Sequence, residues 1–132
     1  MEKYEKIQKE NAELLSKFEE YLLRKNISKK TIKHHINNVE LYINDYLAVD
    51  EEAGPQEIDG YTLESFFRWC IDKWIFNTVS EFLSAIFSIN LFYECLNENK
   101  QIQQIDEIRK VCAKKEYYAK QFKSHDRLLD NI

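Results

Sequence analysis

Glycine and proline are nearly absent from this chain. Only Gly54, Gly60 and Pro55 occur in 132 residues. A β-sandwich or barrel needs turn residues every 8–12 positions, and three such residues cannot supply them. An all-α fold is the class that remains. The hydrophobic fraction of 44% and aromatic fraction of 14% exclude disorder of the whole chain, because disordered segments lack the aromatics that offset ordering entropy. The length fits a single domain, 1–132, with a real core. No uncharged run approaches the ~18 residues of a membrane-spanning helix. The longest, Phe82 to Tyr93, is interrupted by Ser84, Ser88 and Asn90. The charged start Met1-Glu2-Lys3-Tyr4-Glu5-Lys6 has no apolar run behind it, so no signal peptide is expected and a cytoplasmic location is. In a reducing compartment Cys70, Cys95 and Cys112 read as free, buried or half-buried thiols.

Helical periodicity predicts five segments. The first spans about 2–25, with Tyr4, Ile7, Asn11, Leu14, Phe18 and Tyr21 on one face and Asn26 as a left-handed cap. Ser28 is a natural N-cap for the second, with Ile27 and Ile32 placed as a hydrophobic staple. Its stripe runs Ile32, Ile36, Val39, Ile43, Tyr46 and ends near Leu47, with Lys30, Lys33, His34 and Asn37 opposite. Residues 50–60 form the loop between two hairpins. Thr62 is expected to cap a third helix over about 63–74, with Phe66, Phe67, Cys70, Ile71 and Trp74 on its apolar face. Thr78 and Glu81 match a capping box for a fourth helix over about 79–96. That helix is apolar nearly all round, as a central helix should be. A single fifth helix is expected over about 101–123, with a basic outer face.

Charge is unevenly spread. Residues 51–100 carry a net −6, and residues 101–132 a net +2. The stretch from Arg24 to His35 holds Arg24, Lys25, Lys29, Lys30 and Lys33 and no acid. A polyanion contact is expected to start there. Lysines at a helix start bind phosphate, and Asn can read adenine edges. The alternative for Lys29, Lys30, Lys33, His34 and Asn37 is a solvated polar face beside a cap. His35 lies nearer the apolar edge and reads as a packed, hydrogen-bonded histidine. His34 and His35 are a poor metal pair, since adjacent helical residues point about 100° apart. Trp69, Trp74, Phe76, Phe87 and Phe92 exceed what a small bundle must bury, so some are candidates for an exposed patch.

Two stretches resemble a known family when taken together. One runs from Phe18 through Tyr21-Leu22, Asn26-Ile27-Ser28 and Lys30-Thr31-Ile32 to Val39, and on to Tyr46-Leu47. The other is Trp74 to Tyr93, with Thr78-Val79, then Leu83-Ser84-Ala85-Ile86, and Phe92-Tyr93 at its end. In this order and spacing they resemble the core-binding, SAM-like domain of tyrosine recombinases (phage integrases), over about residues 11–100. The resemblance implies a four-helix bundle of two crossed helical hairpins, to which about 101–123 adds a C-terminal fifth helix. It implies that the second and fourth helices lie at the major groove of double-stranded DNA. Asn77, Ser80, Ser84 and Ser88 are then the polar residues the fourth helix can turn toward DNA. Their alternative reading is helix termination for Asn77 and small packing residues for the serines.

The sequence departs from that family in two respects. No catalytic domain follows the bundle within these 132 residues, and His34, His35 and His125 are not followed by Arg at the third position, so the His-x-x-Arg box is absent. Leu83 to Asn90 carries no basic residue where the family usually places Arg. No nucleophile–base set, Gly-rich phosphate loop or CxxC is present, so neither catalysis, nor a cofactor, nor a metal, nor a small-molecule substrate is expected. The DNA-side residues are Lys29, Lys30, Lys33, His34, Asn37, Asn77, Ser80 and Ser84, in a non-catalytic module linked to DNA integration or recombination. A homo-oligomer or a recombinase is its expected partner. The alternative is a helical protein-interaction module that keeps the fold without binding DNA.

Overall fold

A computed structural model describes residues 2–130, with side chains described through Asp126. The described residues are helical, without strands. Helix α1 is Glu2–Arg24, and it buries Ile7, Asn11, Leu14, Phe18 and Tyr21. Its end is a Schellman turn: Ile27 N–H donates to Leu22 O and Asn26 N–H to Leu23 O, with Asn26 at φ 61°. Helix α2 is Lys29–Glu40, capped by Ser28, whose hydroxyl accepts from Thr31 N–H. The chain then reverses on α1, so that Asn11 Nδ2, buried in the hairpin, donates to Ile43 O and Asn44 Oδ1. That pairing explains why one polar residue interrupts the α1 stripe.

The second helix does not stop near Leu47. It continues as a π-helix, Leu41–Glu51, before Glu52 leaves at φ 50°. Wider π turns are usually single insertions. Here they let Tyr42, Ile43, Tyr46, Leu47 and Ala48 all point inward.

Helix α3 is Gly60–Asp72, and its cap is Asp59 rather than Thr62. Asp59 Oδ1 accepts from both Thr62 N–H and Thr62 Oγ1, so the threonine is held by the cap. Gly60 sits where an added Cβ would lie 2.8 Å from Glu107, and its N–H donates to Glu107 Oε1 at 2.6 Å. This glycine marks a close approach of α3 to the C-terminal part, not a loop.

Helix α4, Val79–Glu98, starts at Thr78, which accepts from Glu81 N–H. It is the central helix, with Phe82, Ile86, Ile89, Phe92 and Tyr93 fully buried, and it packs on α1 and α2 as well as on the C-terminal helices. By length and composition alone α4 could cross a membrane, at a mean hydropathy of 1.3 over its most apolar stretch. Half of that stretch is buried inside the bundle.

The expected single fifth helix is two: α5, Ile105–Cys112, and α6, Lys115–Asp130. The chain breaks the helix at Ala113-Lys114. Ile108, Val111 and Cys112 are buried in α5, whereas α6 inserts Tyr118 and Phe122. Tyr118 meets Phe67 at 5.0 Å and Phe122 stacks on Phe82 at 5.6 Å.

Candidate nucleic-acid interface

Helices α2 and α4 run side by side in the same direction. His34 Nε2 meets Ser84 Oγ at 3.0 Å, Asn38 Nδ2 donates to Ser88 Oγ at 2.9 Å, and Tyr42 and Tyr93 hydroxyls meet at 2.6 Å. Partners thus advance together along both helices. Extended back to the helix starts, this register sets Ser28 and Thr78, the two N-caps, at the same end of the bundle. Both positive ends of the helix dipoles therefore point the same way.

Lys29, Lys30 and Lys33 are exposed, and so are His34 and Asn37. Asn77 and Ser80 are exposed at the start of α4, and Ser84 is half-buried. Of the residues expected from the two helices, the shared register brings His34 and Ser84 into contact. Ion pairs among the described residues leave out Lys29, Lys30 and Lys33. Arg24, from the same basic stretch, turns instead to Glu98 at 3.5 Å. One acid, Glu81, lies in the first turn of α4. Lys29 and Lys33 also rim a groove of about 500 Å³ between α1 and α2, floored by Leu23, Ile32 and Ile36, with Glu19 on its other lip.

Ser84 is partly engaged by His34, and Ser88 is fully buried within the seam. Ser88 Oγ donates to Ser84 O at 3.0 Å and accepts from Asn38, and His35 Nδ1 approaches it at 2.7 Å. With the hydroxyl proton committed to a carbonyl, His35 donates from Nδ1. Burial, and then the neighbouring His34, hold His35 below its ordinary value of 6.5, so it stays neutral. Further along, Tyr93 donates to Pro55 O at 3.0 Å, which leaves Tyr42 as donor to Tyr93. His35 is thus the packed, hydrogen-bonded histidine that its position indicated.

The basic face expected of a single fifth helix is divided. Arg109 is clamped by Glu94 through two 2.7 Å contacts, and Lys114 pairs with Glu64 at 3.0 Å. Lys115, by contrast, lies 5.4 Å from the Phe87 ring centre. Of the surplus aromatics, Phe92 is buried and Trp69 and Phe76 are half-buried, but Trp74 is 43% and Phe87 45% exposed. The pairing of Phe87 with Lys115 escaped sequence reasoning. Both residues look ordinary in their own helices, and their approach depends on how α6 packs against α4.

Among the described residues no group of three or more His, Cys, Asp or Glu is placed to hold a metal ion. Cys70, Cys95 and Cys112 are free and buried, and burial pushes the Cys95 thiol up to about 11 and Cys112 up to about 12. They are protonated packing residues rather than nucleophiles. Comparison with protein-family models, curated proteins and solved structures finds no match to this chain.

Proposed function

We propose that this protein is a non-catalytic module that binds duplex DNA, with a SAM-like bundle of two crossed hairpins as in the integrase core-binding domain. The observation that carries the reading is the aligned start of α2 and α4. Lys29, Lys30 and Lys33 are exposed at the first turn or two of α2, and Asn77 and Ser80 are exposed at the start of α4, so both sets lie at like-directed helix N-termini. Phosphate oxygens suit helix N-terminal N–H groups and lysines together. His34 and Asn37 follow on the outer side of α2 and face the base edges in this reading. Such a module acts in DNA integration or recombination by occupying a site, with a recombinase or a second copy as partner. Titration of a labelled 20-base-pair duplex tests it. About three phosphate contacts predict that affinity falls roughly 40-fold between 50 and 200 mM salt. Absence of binding at 50 mM removes the reading.

The α1–α2 groove favours a second reading, a protein-interaction module. Leu23 is 50% exposed there, between lips of opposite charge. Light scattering at rising concentration separates the two, because a strict monomer that binds DNA leaves this groove no role.

A further inference from the structure

Phe87 stands on the exposed side of α4, one turn beyond Ser84, and a recess of about 310 Å³ opens beside it. Four features of this recess belong together. Phe87 is 45% exposed, while Ile86 and Ser88 on either side of it are buried. Lys115 places its ammonium 5.4 Å from the ring centre, at the start of α6. Asn90, one turn further along α4, lines the same recess, and its amide oxygen is enclosed without a hydrogen-bond partner among the described residues. The one carboxylate in the recess, Glu94, is held bidentately by Arg109, so it presents little net negative charge. The recess therefore offers an aromatic face and a cation that makes no ion pair among the described residues, with its acid neutralised.

We infer that the Phe87 recess is a stacking site for one unpaired nucleobase of the bound DNA. The inference rests on the DNA-binding reading and extends it to a second element. The base stacks on the Phe87 ring, a contact that tolerates any base because every base has a π face. The Lys115 ammonium moves from the ring to the adjoining phosphate, where it gains a full charge partner. The recess adjoins the α2–α4 seam through the His35 ring, 5.8 Å from Phe87. A strand that starts at Lys30 and His34 can thus continue across Ser84 to Phe87. The favoured substrate is a duplex interrupted by an unpaired nucleotide, rather than uninterrupted B-form DNA.

The test compares three labelled DNAs: a fully paired 20-mer, the same duplex with one bulged adenine, and a 20-base-pair duplex with a bulged abasic residue. Wild-type protein, Phe87→Leu and Phe87→Ala are titrated against each, after thermal melts show the variants folded. The expected result is a roughly five-fold or greater preference for the bulged adenine over both other DNAs. That preference disappears in both variants while affinity for the paired duplex is unchanged. Equal affinity of the wild type for all three DNAs overturns the inference and leaves duplex binding standing. So does an equal loss on all three DNAs in the variants. Failure to bind any of the three at 50 mM salt removes both readings together.

Discussion

His35 Nδ1 and Ser88 Oγ meet at 2.7 Å in the closed seam between α2 and α4, and Asn38 Nδ2 shares the same oxygen. One small hydroxyl thus satisfies two buried donors from the neighbouring helix. Removing it strands both. Ser88→Ala is expected to cost about 1–3 kcal/mol, more than a lone hydroxyl deletion at the surface, because each donor keeps its desolvation cost without a partner. Urea unfolding curves of the two proteins measure this. A difference below about 0.5 kcal/mol contradicts the network.

The same histidine makes stability depend on pH. In the unfolded chain His35 titrates near 6.5, and in the folded chain burial and His34 hold it lower. Between those two values the unfolded chain binds more protons, so stability rises with pH. The contribution is complete above 6.5 and is lost as pH falls below it, through the folded value. Hydrogen bonds from Thr62 hold Asp59 below its ordinary value of 3.8, and Arg109 holds Glu94 below 4.5. The urea midpoint is expected to be lower at pH 5 than at pH 7.5. His35→Gln, which retains a donor but does not titrate, should reduce that difference. An unchanged slope in the variant refutes the assignment.

Tyr42 and Tyr93 are both fully buried, but their hydroxyls are not equivalent. Tyr93 donates to Pro55 O and accepts from Tyr42, so Tyr93→Phe leaves two groups unpaired. Tyr42→Phe removes only a donor to Tyr93, whose own proton stays engaged. Tyr93→Phe should therefore be the more destabilising change, by about 1 kcal/mol or more. Equal losses in calorimetric melts would reverse the assigned donor order.

Three helices end in Schellman turns on residues other than glycine: Asn26, Trp74 and Lys100, at φ 61°, 57° and 56°. Left-handed backbone costs a residue with a Cβ roughly 1–2 kcal/mol, less for Asn. Lys100 is exposed and makes no ion pair among the described residues, so its side chain offers little in return. Lys100→Gly is expected to stabilise by roughly 1 kcal/mol, seen as a Tm higher by a few degrees. A lower Tm would show that the lysine has a contact worth more than the strain.

Much of the architecture could be read directly from residue types. Ser28, Thr78 and Asn26 act at the helix ends where their chemistry placed them, and the all-round apolar segment is the central helix. The errors share a physical cause, in that contacts between helices override local signals. Ala113 and Lys114 are good helix formers, yet the helix breaks there, and beyond the break Tyr118 and Phe122 pack on Phe67 and Phe82. Asp59 lies before a glycine that reads as loop, and Gly60 is helical because Glu107 approaches it. The eight residues of the proposed interface are individually visible, but the pairing of His34 with Ser84 depends on the parallel register of α2 and α4. No local pattern encodes that register. The exposure of Phe87 beside Lys115 was hidden for the same reason.

The central claim, that the lysines at the head of α2 meet a DNA backbone, is tested most directly by the salt dependence of duplex binding in wild type and in the triple variant Lys29→Ala/Lys30→Ala/Lys33→Ala. Each phosphate contact removed should lower the slope of log K against log salt by about 0.9, so the triple change predicts a slope flatter by roughly 2–3, with much weaker binding at 50 mM. Wild-type and triple-variant proteins that bind duplex equally, with the same slope, would contradict the account.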